Sequence, residues 1–162
     1  MRIEYFQLID RIVDLNLADK TIRTEARVPD ASTIFEGHFP GLPLMPGVLL
    51  IEAMAQTSGW LIIGATRFTR MPFFAALKQA KLRSFVTPGQ SLSLTAQLLH
   101  EGSGFAMTKA DIRCDGKLAC NAEITFRLVD FPNPEFRASM DKMAALLQFP
   151  MGALAKADPQ HG

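Results

Sequence analysis

Residues 48–65 read as one long helix that is apolar on nearly every side, and such a helix has to be enclosed by other structure. Glu52, Gln56, Thr57 and Ser58 interrupt the run, which makes it too polar for a free-standing transmembrane helix. Enclosure by a sheet is the remaining solution, and the rest of the chain supplies strands. Residues 8–28 read as two strands around a short connection. Within them Ile22, Thr24, Ala26 and Val28 alternate with Arg23, Glu25 and Arg27, a period of two with one wet face. After Met71-Pro72, residues 73–77 lead into 78–85, and Thr87-Pro88-Gly89-Gln90 makes a turn. Leu92, Leu94, Ala96 and Leu98 then alternate with polar residues. Residues 105–113 and 117–129 flank Asp115-Gly116, a strong short hairpin signal. Strands, one buried helix and a run of antiparallel strands make an α+β layer fold.

Pro132 and Pro134 end the sheet. Phe136, Met140, Met143, Ala144 and Leu147 follow at helical spacing, so an amphipathic helix is expected here, packed on the body or on a neighbouring subunit. From residue 155 onward the chain reads as a frayed tail. The expected organisation is one domain over 1–131, with 132–162 a C-terminal helix and flexible tail rather than a second domain; 162 residues suffice for one core. A formal net charge of +1 argues against a protein that works by neutralising many phosphates. Cys114 and Cys120 form no CxxC pair and read as small buried apolar residues, not as a disulfide framework. The first residues carry acid early and no long apolar run, so no signal peptide is expected and a reducing, cytoplasmic setting is the default. His100 and His161 read as surface residues.

The chemistry concentrates between Gly37 and Gln56. Residues 31–46 are loop-like, because Gly37, Pro40, Gly41, Pro43, Pro46 and Gly47 forbid regular helix or a central strand. His38 lies in this proline-stiffened loop. Gly47 falls where the long helix starts, where backbone N–H groups are unpaired and the dipole end is positive. Glu52 lies just over one turn inside, and Val48, Glu52, Gln56 and Gly59 share a face by helical spacing. A carboxyl group among Val48, Leu49, Ile51, Ala53 and Met54 should lose hydration, which favours its protonated form. A fixed imidazole, a helix start and an un-ionised acid supply a general base, an oxyanion site and a general acid. Three histidines, two of them remote, make no metal-ligand set, and no cofactor is expected.

The run from Gly37 to Gln56 resembles the active-site signature of the FabZ-type (3R)-hydroxyacyl-[acyl-carrier-protein] dehydratases, in its Gly37-His38-Phe39-Pro40-Gly41, Met45-Pro46-Gly47-Val48 and Glu52-Ala53-Met54-Ala55-Gln56 elements and in the step from His38 to Glu52. Similarity extends over roughly 8–129, through Ile9-Asp10-Arg11, Val86-Thr87-Pro88-Gly89-Gln90 and Asp115-Gly116-Lys117. The resemblance implies a hotdog fold, a curved antiparallel sheet around one long helix, and a homodimer or trimer of dimers with active sites at the dimer interface. It implies that His38 of one subunit faces Glu52 of the other, that the Gly47 amide holds the thioester carbonyl, that the Leu44 carbonyl orients His38, and that Gln56 supports Glu52. The substrate partner implied is an acyl carrier protein bearing its hydroxyacyl chain on 4'-phosphopantetheine, and Lys78, Lys81 and Arg83 are candidates to dock it, with a solvated sheet edge as the plainer reading. The glutamate at 52 favours the dehydratase-only branch over the FabA-type dehydratase/isomerase, which has aspartate there. Two departures stand out: only Met1 to Gln7 precede the first shared segment, too few for the helix with a Pro-His-Arg segment usual there, and the tail beyond Phe131 is longer than usual. An acyl thioesterase of the same fold and a non-catalytic acyl-binding subunit are the alternatives. Trp60, Phe73, Phe74, Phe85 and Phe105 are candidates to line an acyl tunnel, with ordinary core packing as the plain reading.

Overall fold

The structure, a computed structural model, describes residues 1–156. Its strands are β1 (Arg11–Asn16), β2 (Thr21–Arg27), β3 (Met71–Leu82), β4 (Ser91–Gly102), β5 (Phe105–Cys114) and β6 (Lys117–Val129); its helices are α1 (Thr33–Gly37), α2 (Gly47–Ala65), α3 (Pro134–Leu146) and α4 (Gly152–Lys156). The strands form one sheet in the order β1-β2-β4-β5-β6-β3, every neighbouring pair antiparallel. Helix α2 packs against β2 and β4 and against β5, β6 and β3, so one sheet covers it along its length. By length and composition alone α2 would pass for a membrane span, contrary to the reading of the sequence. Its residues from Ala53 to Gly64, Gln56 apart, are nevertheless buried inside the protein, as befits a core helix.

Hydroxyls on α2 fix how the helix is turned on the sheet. Thr57 donates to the Ala53 carbonyl (3.0 Å) and therefore accepts from Thr24 of β2 (2.8 Å), while Thr108 of β5 donates to Ser58 (2.8 Å), all fully buried. Polar groups that break an apolar run are thus each satisfied against the sheet. With Thr57 and Ser58 pinned inward, Glu52 and Gln56 are left on the open side.

Three elements differ from expectation. A short helix, α1, occupies part of the segment expected to be loop: Ser32 caps it by accepting from Ile34 N (3.2 Å), and it ends at Gly37, where the glycine and proline punctuation begins. Segments 73–77 and 78–85 merge into the single strand β3, with bulges at Phe74/Ala76 and Lys78/Lys81 absorbing the irregularity and the strand ending at Leu82. Residues 155 and 156 close α4, and the rest of the expected tail, with His161, lies outside the described residues. The hairpin at Asp115-Gly116 forms with both residues at positive φ, 50° and 76°. Cys114 and Cys120 are free and buried on β5 and β6.

The core joins Leu94, Ile112 and Ile124 of the sheet to Leu61 and Ile62 of α2, and it continues into Ala144, Leu147 and Phe149 at the end of the chain. Among the described residues strand β3 has one neighbour only, and every residue from Phe73 to Leu82 is exposed.

Candidate active site

The short helix α1 delivers His38 as its C-terminal cap. The His38 N–H donates to the Ile34 carbonyl and its carbonyl accepts from Leu44 N, both at 2.9 Å. Phe39 and Leu42 exchange backbone bonds of 3.0 and 2.9 Å, closing a tight turn through Gly41, whose φ of 77° suits glycine. Met45 N then ties the loop to the Val86 carbonyl at 2.7 Å. At the ring, Nδ1 lies 2.9 Å from the Leu44 carbonyl oxygen. A carbonyl only accepts, so Nδ1 carries the hydrogen and Nε2 is the bare nitrogen of the neutral ring.

Gly47 opens α2 directly after Pro46, and no side chain caps this helix start. A Cβ at this position would meet the tip of the exposed Leu82 side chain, which lies over the start of the helix. His38 and Gly47, together with Leu44, Leu50, Leu82 and Arg83, line one cavity of about 460 Å³. The histidine and the start of the helix therefore border the same space.

Glu52 sits on the open side of α2, half-buried in the single chain. Gln56 holds it. The Gln56 Oε1 accepts from Leu8 N (3.1 Å), and Nε2 donates to the Phe6 carbonyl (2.7 Å) and to Glu52 Oε1 (3.2 Å). Because Leu8 offers a donor and Phe6 an acceptor, the orientation of the amide is fixed, and its N–H is turned to Glu52 Oε1. Glu52, Gln56 and Gly59 line a second cavity, of about 270 Å³, with Tyr5 and Phe6 at the chain start and Trp60 beside them. The helical stripe read from the sequence is real, except that Val48 at its head is 71% exposed.

Within one chain, His38 and Glu52 line separate cavities. The Leu44 carbonyl lies against the His38 ring, and Gln56 against Glu52. Lys78 and Lys81 are exposed on β3, and Arg83 lies just past its end; the Arg83 Nε donates to Asn121 Oδ1 (2.9 Å) and the residue borders the His38 cavity. Of the aromatic candidates, Trp60 and Phe74 line the Glu52 cavity and Phe85 the His38 cavity, while Phe73 and Phe105 line neither. The role of Tyr5 to Leu8 in bracing Gln56 was not read from the sequence, where nothing marks a backbone carbonyl as a partner. Among the described residues no three His, Cys, Asp or Glu side chains are grouped as a metal site would require.

A family model described as a FabA-like domain matches residues 2–123. The chain belongs to that family. Its FabA-like part is 39% identical over 122 residues to the 3-hydroxyacyl-[acyl-carrier-protein] dehydratase FabZ of Ligilactobacillus salivarius, covering 75% of this chain and 86% of that one. It is 37% identical over 122 residues to the protein of the same name from Proteus mirabilis, covering 74% and 81%. Among solved structures it is similar to the conserved protein PA5202 from Pseudomonas aeruginosa, with a TM-score of 0.61, 23% identity and coverage of 78% and 91%. It is also similar to a hypothetical thioesterase protein with coenzyme A from Streptococcus pneumoniae, with a TM-score of 0.59, 16% identity and coverage of 76% and 88%. At those identities the two structures speak for the fold, a hotdog, and not for the reaction. Helices α3 and α4 follow the residues that the FabA-like model matches.

Proposed function

We propose that this chain is a hydro-lyase that converts (3R)-hydroxyacyl-[acyl-carrier-protein] to the trans-2-enoyl thioester in fatty-acid biosynthesis. The observation that carries the reading is the tie from His38 Nδ1 to the Leu44 carbonyl, which leaves Nε2 as the other ring nitrogen of a histidine that lines the same cavity as Gly47 at the start of α2. In the proposed reaction His38 Nε2 takes a proton from C2. The electron pair of that C–H bond becomes the C2=C3 double bond as the C3–O bond breaks, and Glu52 protonates the departing hydroxyl so that it leaves as water. Negative charge that develops on the thioester oxygen meets the Gly47 N–H, a preorganised donor of a kind typically worth ~3 kcal/mol. The proton held by His38 then returns to Glu52, through solvent or product water, which restores both groups.

One copy does not bring the two groups into one cavity, and the exposed edge of β3 with Phe73, Phe74, Leu77 and Leu82 is the kind of surface that pairs with another strand. Edge-to-edge pairing of two copies, as homodimer or trimer of dimers, would set His38 of one against Glu52 of the other. The acyl carrier protein, bearing the substrate on 4'-phosphopantetheine, would dock by its acidic surface at Lys78, Lys81 and Arg83, the last at the rim of the His38 cavity. A cytoplasmic setting suits the buried, unpaired cysteines.

The test is a dehydration assay on hydroxyacyl carrier-protein substrate, read by enoyl absorbance and product mass. His38→Ala and Glu52→Gln should each lower kcat by about 10²- to 10⁴-fold while melting normally. Wild-type-like turnover in either variant, or release of free thiol without enoyl product, would contradict the reading; the second result would mark a thioesterase.

A further inference from the structure

Helix α3 begins after the residues that the FabA-like model matches, yet it walls the cavity that holds Glu52. Met140, Met143 and Leu147 supply that wall, and Gly59 and Trp60 of α2 with Phe74 of β3 belong to the same lining. The helix is anchored at both ends. At its start Asn133 Oδ1 accepts from Phe136 N at 2.7 Å, and the Arg137 guanidinium bonds to the Phe68 carbonyl and lies 4.9 Å from the centre of the Phe68 ring. At its end the Leu147 carbonyl accepts from Ile12 N at 2.8 Å, and Phe149 packs edge-on to Phe68 with centroids 5.1 Å apart. Between these anchors two methionines face the cavity, flexible unbranched side chains suited to closing an irregular apolar space.

We infer that α3 is the end-stop of the acyl channel, with Met140 and Met143 setting the longest chain the enzyme accepts. The inference rests on the dehydratase reading: with C3 of the substrate at Glu52, the carbons beyond C3 enter the cavity that α3 closes. At about 270 Å³ this cavity lies just below the ~300–1,000 Å³ usual for small-molecule sites, and Met140, Met143 and Leu147 form one part of its lining. Gly59 supports the same reading from across the lining, since a Cβ there would meet only Pro72, at 3.7 Å; the missing side chain leaves room that packing does not otherwise require.

The experiment compares wild type, Met140→Ala/Met143→Ala and Met143→Trp on hydroxyacyl carrier-protein substrates of increasing chain length, with thermal unfolding to check that each is folded. The alanine variant should raise kcat/KM about tenfold for the first chain too long for wild type, relative to the best wild-type substrate. The tryptophan variant should lower the long-to-short ratio of kcat/KM by about the same factor. Chain-length profiles that coincide in folded proteins would overturn the end-stop while leaving the dehydratase reading intact. A wild type inactive at every length would overturn both.

Discussion

Gln56 links the start of the chain to the acid of the site through three hydrogen bonds, to Leu8, Phe6 and Glu52. Gln56→Leu keeps the bulk and removes all three. It should lower kcat by about 10- to 100-fold, a loss of 1–3 kcal/mol, with KM changed by less than about threefold. Steady-state kinetics decide, and an unchanged kcat would show that Glu52 needs no positioning. The face shared by Glu52, Gln56 and Gly59 was legible from helical spacing, and His38 from its proline-fenced loop. The partners Phe6, Leu8 and Leu44 act through backbone atoms, for which sequence carries no sign; only the family resemblance pointed to Leu44. A second prediction concerns Cys120, fully buried on β6. Burial pushes its thiol up to about 11, against a weaker opposing pull from Arg83. The unfolded chain would therefore shed this proton first, so the stability tied to Cys120 is complete below the ordinary thiol value near 9 and is lost as pH rises towards 11. At pH 8 a thiol reagent should leave Cys120 unlabelled until denaturant is added; labelling of the native protein would contradict its enclosure.

Helix α3 depends on its cap. Asn133→Ala deletes the bond from Phe136 N and should cost about 1 kcal/mol, lowering Tm by about 2–4 °C in thermal unfolding. Strands and helices of regular period were readable because alternation or a repeat of three and four residues records which face is buried, as in Ile22 to Val28 and Phe136 to Leu147. Boundaries failed where a local hydrogen bond decides the matter. Ser32 capped α1 inside a segment whose glycines and prolines pointed to loop, and two bulges let β3 run unbroken through an uneven pattern. Helix α2 was recognised by its all-round apolar character, but its rotation depends on Thr24 and Thr108, contacts far away in sequence.

Apolar side chains are exposed on β3, and Val48 and Phe85 are exposed at 71% and 81%, the kind of surface that marks an interaction site. If two copies pair along β3 as proposed, Leu77→Lys on that edge should shift the protein to monomer in sedimentation and abolish activity in the same preparation. Charge reversal at Lys81 and Arg83 should act differently, raising KM for the carrier-protein substrate about tenfold while sparing a small thioester mimic. The most direct measurement is complementation between subunits. His38→Ala and Glu52→Gln, each inactive alone, are co-expressed, and the mixed dimers are purified through two different tags. If the site is shared between copies, each mixed dimer holds one intact His38–Glu52 pair and one doubly broken pair, so turnover should recover to roughly half that of wild type. Mixed dimers as inactive as the parents would contradict it, placing both groups in the same chain's site or outside the chemistry altogether.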